Sequence, residues 1–256
     1  MRASTGAPPR GRSLTFLRAG VRSFVIQGSW NYRTMVGTGF CYAILPILRR
    51  VYRDDPHGLE AAIRRHAEHF NAHPYLAAMA IGAVGRMEKE GEDPETIKRF
   101  KVALRGPLGS LGDRLVWARW LPASGALGIL AALLVPVWWV GPAVFFLVYN
   151  AGHLTLRTWA YRLGLREGRN LGTQIRRWEI GRRADILILP LALMVGLIVG
   201  TVLGVGIDSR MVPWPWLLPG AVLFAVGARS GERARNTATF VFLLALIALG
   251  VVGTVR

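Results

Sequence analysis

Residues 121–161 read LPASGALGILAALLVPVWWVGPAVFFLVYNAGHLTLRTWAY. A helix rises about 1.5 Å per residue and crosses a bilayer in about 20 apolar residues, so this run is too long for one crossing. Pro136, Gly141 and Pro142 interrupt it near its middle, where a chain turns most readily. The stretch reads as a hairpin of two membrane helices, and that reading decides the fold class.

Downstream, residues 184–207 form one further span, and residues 212–228 and 237–253 are shorter candidates. Arg162, Arg166, Arg169, Arg176, Arg177, Arg182 and Arg183 crowd the loop after the hairpin, and Arg229, Arg233 and Arg235 crowd another. Because basic residues accumulate on the cytoplasmic side, both loops are expected there. The hairpin then starts and ends inside, and Arg256 lies outside. The expectation is an all-α, polytopic membrane protein of the bacterial inner membrane, with about five membrane-embedded segments in residues 121–256.

Upstream, the composition changes. Residues 1–13 are rich in Pro, Gly and Arg and are expected to form a disordered cytoplasmic tail, with no signal-peptide core behind them. Residues 14–120 mix charge with apolar positions and read as an amphipathic and re-entrant helical region. Residues 14–48 carry Arg18, Arg22 and Arg33 among interfacial aromatics, as a segment lying in the membrane surface would. Leu59, Ala62, Ile63, His66 and Phe70 recur at helical spacing, giving a helix that Pro74 is expected to break or kink. Asp93 before Pro94 predicts an N-cap and first helical position. Residues 75–84 are apolar and short. The helices on either side have no obvious core of their own, so they are expected to pack on the membrane part or a partner.

The balance of 32 basic to 15 acidic residues gives a formal charge of +17. The bases sit at the ends of apolar runs, as membrane anchors do, and no basic helix interleaved with stacking aromatics points to nucleic acid. A hydrophobic fraction of 52% argues against a wholly soluble domain. The single Cys41 excludes an intrachain disulfide and a Cys-based metal site.

Three stretches carry polar chemistry. Residues 106–113 place Gly106, Pro107, Gly109 and Gly112 before Asp113. Broken backbone there would offer amides and carbonyls to a ligand, with Asp113 accepting from sugar hydroxyls; the competing reading is a turn whose Asp113 pairs with Arg114 or Arg119. Gln27, Trp30 and Asn31, with Tyr32, suit pyranose recognition by hydrogen bonding and stacking, and equally suit an interfacial anchor. His66, His69 and His73 fall at i, i+3 and i+7, but no carboxylate or Cys stands at ligand spacing, which favours packing over a metal. No catalytic triad, Walker loop or Rossmann glycine set is present.

Residues 27–32, residues 69–75 (HFNAHPY), residues 101–117 and Gly141, Pro142, Tyr149, Asn150 and Arg157 together resemble the IID component of mannose/fructose/sorbose phosphotransferase systems. The similarity runs in order over about residues 14–185. It departs at Arg114, where the family usually has Ser, and beyond Ile186, where only alternating apolar spans match. The resemblance implies a non-phosphorylated membrane subunit, without cofactor or catalytic residue, that forms the sugar path with a IIC subunit. Soluble IIA and IIB carriers supply phosphate to a hexose. It further implies that Gln27, Trp30, Asn31, Asn71, His73, Asp113 and Trp117 face the sugar or the IIC contact in a hetero-oligomer. The alternative is a membrane anchor that no longer transports and regulates an incomplete phosphotransferase system.

Overall fold

Three helices begin at an acceptor followed by proline. In the computed structural model, Asp55 accepts from the Gly58 amide at 2.8 Å, Asp93 from the Thr96 amide at 2.9 Å, and His73 Nδ1 from the Tyr75 amide at 3.3 Å. Pro56, Pro94 and Pro74 each occupy the first helical position, where a missing N–H costs nothing. Pro74 thus opens a helix. The helix expected to reach Pro74 ends earlier, at Ala67.

The structure describes residues 10–135, 137–177, 186 and 188–208. They form helices α1 (Arg10–Arg22), α2 (Gly37–Val51), α3 (Pro56–Ala67), α4 (Pro74–Glu90), α5 (Pro94–Gly112), α6 (Leu121–Leu134), α7 (Val140–Glu167), α8 (Leu171–Arg177) and α9 (Ile188–Asp208). The chain divides into two compact units, residues 1–194 and 195–256, and of the second only the end of α9 is described. Helix α9 covers most of the third expected span and ends one residue beyond it. The segments 212–228 and 237–253 lie outside the described residues.

The short apolar run of residues 75–84 is the centre of the first unit. Every residue from Leu76 to Gly85 in α4 is buried, and α1, α2, α5 and α7 pack around this helix. Leu76, Met79, Ile81 and Met87 are fully enclosed, each contributing about 1.5–3 kcal/mol of burial. The amino-terminal helices therefore share a core, contrary to expectation, and α7 of the hairpin packs into it, as the expectation that they lie on that part of the chain requires. Close approach of α4 and α7 depends on two glycines. A Cβ on Gly82 would stand 2.5 Å from the Tyr161 carbonyl oxygen, and one on Gly164 would run into the Met79 carbonyl.

Residues 14–48 do not form one interfacial segment. α1 and α2 pack on each other and are joined by a loop pinned at both ends. Asn31 Oδ1 accepts from the Arg33 and Thr34 amides, its Nδ2 donates to Thr34 Oγ1 at 2.8 Å, and Thr34 and Val36 pair with the Phe70 backbone. Helix α1 starts at Arg10, inside the stretch read as a tail.

Residues 106–113 are not broken. α5 and α6 belong to one helix, Pro94–Leu134, of 41 residues, and among the described residues it alone is long and apolar enough to cross a membrane. Gly106, Gly109 and Gly112 keep ordinary helical backbone, since among the described glycines only Gly91 and Gly168 have positive φ. Instead of breaking, the helix widens to a π-helical stretch over Asp113–Trp120. Such stretches insert extra residues per turn and occur often at functional sites.

The hairpin read from residues 121–161 is present as α6 and α7, antiparallel and in contact, with Gly128 against the Gly141 carbonyl oxygen at 2.9 Å for a Cβ. Its outer face is apolar: Leu134, Trp138, Trp139, Phe146 and Leu147 are all exposed. An apolar surface of this extent suits lipid or a partner. The second half of α7 behaves differently, for Arg157, Ala160, Tyr161, Leu163 and Gly164 are buried against the bundle.

Candidate functional site

Where the start of α4, the π-helical stretch and the middle of α7 meet, a cluster of rings collects around His73. Capping α4 fixes the backbone of His73, and Gly112 leaves the space its ring fills. The imidazole lies edge-on to Tyr75 at 5.0 Å and to Trp117 at 5.6 Å between centroids. Tyr75 stacks on His153 at 4.0 Å and shares a 2.6 Å hydrogen bond with the Tyr149 hydroxyl. Arg157 stands 5.2 Å from the Tyr75 ring and 4.7 Å from Phe24, within cation–π range, and donates to the Ser23 carbonyl. Trp120 donates to the Tyr149 carbonyl oxygen at 3.3 Å and covers Gly152.

Three donors or acceptors of this cluster have no protein partner although water does not reach them: His73 Nε2, His153 Nε2 and Arg157 Nε. Arg157 makes no ion pair among the described residues. Buried polar atoms without partners are uncommon in folded proteins and mark places where a ligand, water or subunit completes the bonding. The cluster offers ring faces, imidazole edges and one cation. That set can hold and orient a polar molecule, but it lacks the paired nucleophile and base needed for covalent chemistry.

Of the residues singled out from the sequence, His73 and Trp117 come together here. Asp113 opens the same π-helical stretch, is exposed, and makes no ion pair with Arg114 or Arg119 among the described residues. Asn71 is exposed two residues before His73. Gln27 and Trp30 are exposed on the α1–α2 loop, with Trp30 edge-on to Tyr32 at 4.8 Å. Asn31 spends its side chain on that loop's own backbone. His66, His69 and His73 do not share a helix face, because α3 ends between the first two. Tyr75, His153 and Arg157 were not singled out as site residues. The signal for two of them was a titratable residue inside an apolar run.

A second polar cluster lies away from the hairpin, between α3 and the end of α4. Glu88 is buried and accepts from Arg65 at 2.6 Å, His66 Nε2 at 2.7 Å and the Tyr52 hydroxyl at 2.8 Å. Burial alone would raise the Glu88 carboxyl, but the bonds and charges of these partners outweigh it and bring it down to about 2. Burial lowers His66 to about 4 against the pull of Glu88. The imidazole is therefore neutral and donates from Nε2, leaving Nδ1 unpartnered. This cluster ties α3, the end of α4 and the residue that follows α2 together.

The comparisons agree with this architecture. Residues 13–212 match the family model described as the phosphotransferase system mannose/fructose/sorbose family IID component. The mannose-specific EIID component of Escherichia coli (strain K12) is 35% identical over 153 residues, 58% of this chain and 53% of that protein. The sorbose-specific EIID component of Klebsiella pneumoniae is 35% identical over 156 residues, 59% and 56% of the two chains. The fructose permease IID component of Bacillus subtilis (strain 168) is 33% identical over 153 residues, 58% and 54%. The aligned part spans about half the length of these curated relatives. Among solved structures, that of the mannose transporter ManYZ in complex with microcin E492 superposes with a TM-score of 0.58 at 24% identity, covering 95% of this chain and 98% of that one. A second, titled as the structure of a membrane protein, gives 0.66 at 25% identity over 93% and 97%. With the family model spanning most of its length, and an apolar helical hairpin set against a helical bundle, this chain belongs to the IID components of the mannose/fructose/sorbose phosphotransferase family.

Proposed function

We propose that this chain is a permease subunit that lines a hexose path together with a IIC membrane subunit, while soluble IIA and IIB carriers deliver the phosphate. One observation carries the reading most directly. The cluster of His73, Tyr75, Trp117 and His153 puts ring faces and unpartnered imidazole nitrogens where the apolar hairpin joins the polar bundle. Sugars are held by stacking on such rings and by hydrogen bonds to their edges, and a subunit interface would complete the same unmet bonds. Asp113 and Asn71 stand exposed beside the cluster, available to hydroxyl groups or to the partner. In this reading the hairpin spans the inner membrane, the arginine-rich end of α7 is cytoplasmic, and the subunit is not itself phosphorylated.

The test is phosphoenolpyruvate-dependent uptake of labelled mannose, fructose and glucosamine in cells lacking the gene and restored with it beside its IIC gene. Restored uptake that Trp117→Ala or Asp113→Ala abolishes, with the subunit still inserted, supports the assignment. No uptake of any hexose by an intact IIC complex would favour the regulatory anchor instead.

A further inference from the structure

Two cavities that share a wall lie along α7, the first between it and the π-helical stretch. One, of about 240 Å³, is almost wholly apolar and is lined by Leu115, Val116, Trp120, Gly152 and Leu156, backed by Tyr75 and His153. The other, of about 550 Å³, lies beside Leu154, Thr158, Arg162 and Arg166. Thr155 and Trp159 line both, so the two form one groove along the helix. From Gly152 to Arg162 the helix rises about 15 Å, half the roughly 30 Å hydrocarbon thickness of a bilayer. The groove is therefore apolar for the depth of one leaflet and basic where that leaflet meets water.

From this arrangement we propose that the groove binds one anionic glycerophospholipid, with an acyl chain between Trp120 and Leu156 and the headgroup phosphate at Arg162 and Arg166. The charges favour an anionic rather than a zwitterionic headgroup. Arg162 is exposed and has no hydrogen bond or ion pair among the described residues, and Arg166 is only partly offset by Glu167 at 3.4 Å. Thr155 and Thr158, both exposed, supply hydroxyls at the level of the ester groups. A free phosphate would satisfy the arginines but leave the apolar half of the groove empty.

The experiment is native mass spectrometry of the full-length chain purified from membranes, titrated with phosphatidylglycerol and with phosphatidylcholine of identical acyl chains. One phosphatidylglycerol is expected to stay bound at a concentration roughly tenfold or more below that needed for phosphatidylcholine, since each interfacial arginine favours an anionic surface by about 1 kcal/mol. Arg162→Gln with Arg166→Gln should remove that preference and leave weak binding of both lipids. Thr155→Trp, which fills the shared wall from an exposed position, should lower retention of both lipids by about as much while the thermal midpoint stays unchanged. Equal retention of the two lipids by the wild type would overturn the proposal. So would displacement of phosphatidylglycerol by glycerol phosphate, or a Thr155→Trp variant that keeps its lipid and loses a co-purifying protein instead.

Discussion

Replacing Glu88 by Gln keeps the side chain's shape and one carbonyl oxygen but removes the charge on which Arg65, His66 and Tyr52 converge. The wild-type carboxyl lies near 2 in the folded chain against its ordinary 4.5. At about 1.4 kcal/mol per pH unit, this is worth roughly 3 kcal/mol near neutrality. Removing one partner of a buried pair costs about 3–5 kcal/mol, because the other charge is stranded. For a domain of this size the loss corresponds to a fall in midpoint of roughly 10 °C. Thermal unfolding of the full-length protein in detergent, followed by tryptophan fluorescence, measures it. The pH dependence supplies a second readout. His66 is held below its ordinary 6.5, at about 4, so between those values the unfolded chain takes up a proton that the folded chain refuses. Stability therefore falls as pH drops through that window. The Glu88 contribution is complete above about 4.5 and is lost as pH falls toward 2. In Glu88→Gln only the second loss should disappear. A variant melting within 2 °C of the wild type, or one with the same acid limb, would refute this account of the cluster.

Two other substitutions follow from the packing. Gly164→Val drives a branched side chain into the Met79 carbonyl of α4; backbone cannot yield as a side chain does, so the cost should exceed the usual 1–3 kcal/mol of overpacking and appear as lost monodispersity in size-exclusion chromatography. Asn31→Ala removes the bonds that close the α1–α2 loop; because these are partly solvated, the loss should be about 1–2 kcal/mol, seen as faster proteolysis within residues 26–36 with the helices intact.

The helical hairpin was legible because its signal is local: apolar length, a proline and glycine centre, and a basic exit all lie within one stretch. The Asp93–Pro94 start was legible for the same reason. The role of α4 was not. Its residues look like a short apolar connector until α1, α2, α5 and α7 are seen to cover every side of it. Pro74 misled because the same residue stops a helix that precedes it and starts one that follows, and only the cap at His73 distinguishes the two. Residues 106–113 misled in the opposite direction: three glycines and a proline in eight residues suggest a break, yet a helix anchored at both ends absorbs them. The candidate site was half visible. His73 and Trp117 lie 44 positions apart and were chosen separately, but their meeting depends on Gly112, and Tyr75, His153 and Arg157 enter through a contact between α4 and α7 that no spacing encodes.

The π-helical stretch between α5 and α6 acts as a phase shifter. Below it the helix packs on α4, and above it the helix packs on α7. In an ordinary α-helix each residue turns the axis by about 100°. Deleting a single residue between Asp113 and Trp120 would rotate α6 by that amount, swinging Gly128 away from α7 and bringing the exposed leucines of α6 against it. One uninterrupted rod thereby serves two neighbours, and the count of residues in eight positions, together with Trp117 and Trp120 among them, keeps both engaged.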